Sequence, residues 1–184
     1  MQLDITNIKK GLPGISSIAA QQLYEAFEVC MHRSGHNEDV LLLMEGQSQE
    51  NIGIHWNDGY DEQKARTYAD MQYATEHGAV CLSVMLTTSM TPYTIIERSR
   101  RGTGIDYWLG EKDTMLFQRK ARLEVSGILK GNDAAIQRRY KSKIEQTSLS
   151  DKLQLPAYIS IVEFSMPKAL FIRKTNHYEN TRTT

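Results

Sequence analysis

Residues 93–128 restrict the fold more than any other stretch. They contain YTIIERSRRG, then TGIDYWLGE, then FQRKARLEVSGI, three extended segments that each set a carboxylate among apolar residues. In the second, Ile105, Tyr107 and Leu109 alternate with Asp106 and Trp108. In the third, Ala121, Leu123 and Val125 alternate with Arg122, Glu124 and Ser126. Side chains on a strand alternate between faces, so each segment can bury one set and present the other. If the last two strands are neighbours, Asp106 and Glu124 can meet at one edge of the sheet. Glu97, in IIERS, is the carboxylate of the first segment.

The flanking sequence supplies helices and more strands. The first 14 residues read as a leader with a turn at Gly11-Leu12-Pro13-Gly14. Ser16 or Ser17 can then cap a helix to about His32, with Ile18, Ala19, Leu23, Ala26, Phe27, Cys30 and Met31 at three- and four-residue spacing. VLLLMEG and IGIHW read as a hairpin around a polar turn at 47–51, closed by Asn57-Asp58-Gly59. From about 61 to 86 the pattern is helical, the longest helix expected. Asp133 can cap a further helix to about Gln146, with Ala134, Ala135, Ile136, Tyr140 and Ile144 inward. AYISIVEF and ALFIR close the order as strands around a Ser165-Met166-Pro167 turn, and HYENTRTT forms a mobile tail. The order predicts one domain over 1–184, of α/β (α+β) class, with a central mixed sheet flanked by helices.

Net charge excludes little. Lys plus Arg and Asp plus Glu both number 22 in the 184 residues. Basic residues nevertheless gather between Arg98 and Lys143, so a neutral chain can still carry a basic face. No long apolar run follows MQLDITNIKK and no stretch is long enough to span a bilayer, so a cytoplasmic location is expected. The two cysteines, Cys30 and Cys81, lie in apolar contexts and read as buried thiols.

Two strand carboxylates joined by a third from a helix make an all-oxygen site of the kind Mg²⁺ or Mn²⁺ prefers. Glu76, in ATEHGA, is the helix candidate. Plainer roles compete. Asp106 can pair with Arg98 or Arg122 across the sheet, Glu76 can be a solvated helix residue, and His55 and His77 lack partners at ligand spacing. Glu163 can be an edge residue. Gly102-Thr103-Gly104 reads as a tight hairpin turn rather than a phosphate loop, and Tyr107 and Trp108 as sheet packing.

The helix around Glu76, the GIDYWL and ARLEVSG strands and the amphipathic helix after them resemble the core of the restriction-endonuclease-like, PD-(D/E)xK nuclease superfamily. The resemblance covers 61–173, with the N-terminal helix and hairpin (1–60) as an addition. It implies that Asp106 and Glu124 bind Mg²⁺ or Mn²⁺ and that Glu76 assists. The third position of Glu-x-Lys is here Ser126, which cannot supply the positive charge that orients the attacking water. The resemblance therefore implies a displaced lysine: Lys120 on the strand face of Glu124, or Lys141 or Lys143 from the next helix, with Lys120 and then Lys141 preferred. Arg98, Arg100, Arg101 and Arg122 would grip DNA phosphates. Function is then expected to be metal-dependent cleavage of DNA, in a DNA-processing or phage-defence assembly, as a homodimer or beside a partner subunit. The alternatives are an inactive member of the same fold that binds DNA or protein, and an unrelated α/β protein that dimerises through the 40–56 hairpin.

Overall fold

The computed structural model describes residues 1–46, 49–112 and 117–174. The tip of the first hairpin and the expected mobile tail therefore lie wholly or partly outside the described residues. One eight-stranded mixed sheet runs through the molecule: β1 (Gln2–Asp4), β2 (Val40–Gly46), β3 (Gln49–His55), β4 (Tyr93–Arg98), β5 (Tyr107–Glu111), β6 (Ala121–Ile128), β7 (Ala157–Glu163) and β8 (Lys168–Lys174), in the spatial order β1-β3-β2-β8-β7-β6-β5-β4. β4 is antiparallel to β5 and β5 to β6, and β7 lies parallel to β6. The helices are α1 (Ser17–Arg33), α2 (Glu62–Thr67), α3 (Met71–Met90) and α4 (Asp133–Thr147).

Side-chain alternation decides which helix covers which face. On β7, Ile159 and Ile161 join Ile136 of α4 in one apolar cluster. Ser160, between them, points the other way and its hydroxyl meets that of Ser83 on α3 at 2.7 Å. On β6, Leu123 and Val125 belong to the larger core beneath α1 and α3. Arg122, Glu124 and Ser126 all face α4 and the 3-10 turn Ser148–Leu153 that follows it. β5 and β6 are thus buried on both faces, where a half-buried alternation was expected.

Three local features depart from the sequence reading. The segment from 61 to 86 is not one helix: α2 ends at Thr67, and α3 restarts after Asp70, whose carboxylate accepts from the N–H groups of Gln72 and Tyr73. The N-terminal leader is built into the fold, with β1 parallel to β3 and a 3-10 helix Ile5–Lys10 behind it. Asn132 rather than Asp133 caps α4, its side chain accepting from Ala135 N–H at 3.0 Å. Both cysteines are buried, and burial pushes the Cys30 thiol up to about 12. Among the described residues no helix is long and apolar enough to cross a membrane.

Candidate functional site

A fork in the sheet creates the site. β5 pairs with β6 only from Tyr107–Leu109 to Leu123–Ala121, so beyond Leu123 β6 continues without a β5 partner. Asp106 stands at the branch. Its own N–H donates to Leu123 O at 2.9 Å, and its Oδ2 accepts from Val125 N–H at 2.8 Å. The carboxylate thereby replaces the missing strand and sits opposite Glu124. The pair meets at this interior notch rather than at an outer edge of the sheet.

Glu124 is fully buried. Its Oε1 accepts from Lys143 Nζ at 2.5 Å and from Gln146 Nε2 at 2.8 Å, both on α4. Oε2 is buried with no hydrogen-bond partner, which is costly for a carboxylate oxygen unless a proton or cation is there. Burial and the nearby charge of Asp106 push the Glu124 carboxyl up to about 7, against the opposing pull of Lys143. Burial also raises Asp106, partly offset by its bond from Val125 and by the charges of Lys143 and Arg98. Two carboxyls this close share a proton when nothing more positive lies between them.

The sign of the pH dependence follows. An unfolded glutamate ionises near 4.5, whereas native Glu124 holds its proton to about 7. Stability from this group is therefore greatest below the unfolded value, declines as pH rises through that window, and is level above it. Thermal melts of metal-free protein between pH 4.5 and 8 should show a falling Tm, and Glu124→Gln should flatten that slope. An equal slope in both proteins would show that the pair ionises freely.

Beside the pair lies a cleft of about 280 Å³ that Asp106 lines and buried Glu124 does not, bounded on one side by Glu76 and His77 of α3 and on the other by Ser126, Arg139 and Lys143. The expected residues distribute unevenly in it. Glu76 lines the cleft but is exposed, its Oε1 accepting from Gln72 Nε2 at 3.1 Å. Lys120 and Lys141 do not line it. Lys120 lies four residues before Glu124, roughly 13 Å along a strand, and Lys141 is exposed on α4. Lys143 occupies the position expected of them. Arg98 lines the cleft, and Arg100 and Arg101 line the trough beside it.

Arg122 is an interior residue, not a phosphate contact. It is 0% exposed, and its guanidinium donates to Leu155 O, Ser150 Oγ, Thr147 O and Asp151 Oδ1. Glu97 faces elsewhere, in a bidentate pair with Arg119, which also stacks on Trp108. Glu163 is buried and accepts from the N–H groups of Gly131, Ser165 and Met166, which fixes two turns.

The sequence reading passed over Arg139 and Gln146. With Lys143 they fall at i, i+4 and i+7, one face of a helix, and that spacing was the available signal. Arg139 Nη1 donates to Ser126 Oγ at 2.8 Å, so a cation from α4 contacts the side chain that stands in the lysine position. Two glycines hold these parts together. Gly104 has φ +77° and passes so close to Gln146 O that a Cβ would collide with it. Gly127 likewise lets α3 approach β6 at Thr75 O.

The donor set fits a hard divalent cation: two carboxylates, one of them with an unsatisfied buried oxygen, leave the remaining positions to water and substrate. Among the described residues no three histidine, cysteine or carboxylate side chains converge closely enough to enclose an ion by themselves. Comparisons with protein-family models, with curated proteins and with solved structures found no match.

Proposed function

We propose that this chain is a metal-dependent nuclease-like domain acting on DNA phosphodiesters, a divergent relative of the restriction-endonuclease-like superfamily. The observation that carries the reading is that Asp106 and Lys143 line one cleft, while Glu124, hydrogen-bonded to Lys143, is buried beside them with Oε2 unpartnered. The order α3, three antiparallel strands, α4 and a strand parallel to β6 supports it. Asp106 and Glu124 would hold Mg²⁺ or Mn²⁺, with Glu76 reaching the ion through water. When bound, such an ion stabilises negative charge on a phosphodiester and acidifies a coordinated water.

The chain's own groups do the rest. Lys143 would stand in for the lysine that Ser126 replaces: its ammonium, anchored by Glu124 and Gln146, would supply the positive charge an attacking water needs. Arg139 and Arg98 would hold the flanking phosphate oxygens. Val125 N–H fixes the Asp106 carboxylate, so the ligand geometry is set before substrate arrives.

The test is Mg²⁺- or Mn²⁺-dependent cleavage of plasmid and linear DNA. Asp106→Ala and Glu124→Ala should each lose at least about a hundredfold in rate with the fold retained. A binding-only reading is favoured by one observation, the engagement of Ser126 by Arg139 where a catalytic lysine would stand. Salt-sensitive DNA binding without cleavage under any cation would select it.

A further inference from the structure

The cleft is not a closed pocket but the waist of a longer groove. On one side it opens, through shared Arg98 and Asp106, into a trough of about 510 Å³ carrying Arg100 and Arg101. On the other it opens, through shared Glu76 and Arg139, into a trough of about 590 Å³ carrying Lys130. Each arm thus has its own cations, and the carboxylate pair lies between them. A site that digests from an end needs a wall on one side of the scissile phosphate, and among the described residues neither arm supplies one. The waist itself is near the lower size of a small-ligand pocket, roughly 300 Å³, which suits one sugar-phosphate unit.

The waist adds a ring surface, since His77, which lines it, ends an aromatic ladder. Tyr68, Tyr73 and His77 form a ladder with ring centroids 6.2 and 3.9 Å apart, and Tyr73 remains 38% exposed. His77 is held in place by its Nδ1–H, which donates to Tyr73 O at 2.9 Å. An open aromatic beside a cationic groove is the combination that receives unpaired bases, because every base has a π-face to stack.

Resting on the nuclease reading, we infer that the groove takes one unpaired DNA strand straight through, so the substrate has nucleotides on both sides of the scissile phosphate and needs no end. The strand enters over the Arg100–Arg101 turn, crosses Asp106 beside buried Glu124, sets a base on the His77 end of the ladder, and leaves past Lys130.

The experiment uses closed circular single-stranded DNA, its linear form, and a relaxed duplex circle of the same sequence. Binding is measured without divalent cation and cleavage with Mn²⁺. The single-stranded circle should bind as tightly as the linear strand, more tightly than the duplex circle, and be opened by wild type. His77→Ala should weaken strand binding roughly tenfold or more, with His77→Phe restoring it. Arg100→Ala with Arg101→Ala should reduce the salt slope by about 1.4. Preference for linear over circular strands, equal duplex affinity, or indifference to His77→Ala would each overturn the inference. Binding as described without cleavage would leave the groove standing and remove the nuclease reading instead.

Discussion

Lys143→Ala is expected to reduce metal-dependent cleavage by about a hundredfold or more, while Lys141→Ala and Lys120→Ala stay within about twofold of wild type. The contrast rests on helix phase. Two residues on α4 are separated by about 200° around the axis, so Lys141 is turned to solvent while Lys143 reaches Glu124 at 2.5 Å. The fold should tolerate the change, because Glu124 can keep its proton once the ammonium is gone. Lys143→Arg should recover only part of the activity, since a guanidinium is broader and must displace Gln146 to reach the same oxygen. Rates under single-turnover conditions, with circular dichroism as the folding control, decide the matter. Cleavage that survives Lys143→Ala but is lost in Lys141→Ala would mean that α4 rotates in the working enzyme.

Arg122→Ala should be the most destabilising single change in the site region, costing on the order of 3–5 kcal/mol. It strips the partner from two carbonyls, one hydroxyl and the Asp151 carboxylate at once, and opens a cavity at a position with no exposure. For a chain of this size each kcal/mol lowers Tm by roughly 2–4 °C, so a loss of about 6–20 °C is expected. Arg122→Lys should rescue little, because one ammonium cannot span acceptors arranged around a planar fork. Where the variant still folds, its DNA affinity should keep the wild-type salt slope, because this guanidinium contacts no phosphate. A small change in Tm accompanied by a reduced slope would put Arg122 on the surface and contradict the structure.

These two residues also show what could be read from the chain and what could not. The helices α1 and α4, the Ser16 cap of α1 and the three extended segments with their carboxylates follow from periods of 3.6 and 2 and from Ser at a helix start, although Ile18, Ala19 and Ala134, expected inward, are exposed and Asn132 rather than Asp133 caps α4. Register followed less directly: Asp106 and Glu124 face each other because β5 stops short, and no local pattern announces a fork. Arg122 was misplaced because alternation assigns charged residues to the wet face. Here both faces are covered, and a 3-10 turn far along the chain supplies the acceptors. Lys143 lost to Lys120 and Lys141 because strand parity and nearness in sequence were weighed above the phase of α4. The break at Tyr68–Asp70 escaped since apolar spacing runs through it, while the deciding signal was the single cap at Asp70.

The parallel pairing of β2 with β8 has a consequence for how the chain reaches its native state. Leu43 lies beside Lys168 and Met44 beside Ala169, positions more than a hundred residues apart. Closing that seam fixes a very long loop for a modest number of ladder bonds, so it belongs to the late, slow part of assembly. Until it closes, β8 presents an unpaired edge to other chains. Synthesis order sharpens the hazard, since more than a hundred residues must follow β2 before its partner emerges. Refolding yield should accordingly fall with protein concentration, and deletion of the first sixty residues should leave an aggregating fragment rather than a smaller working domain.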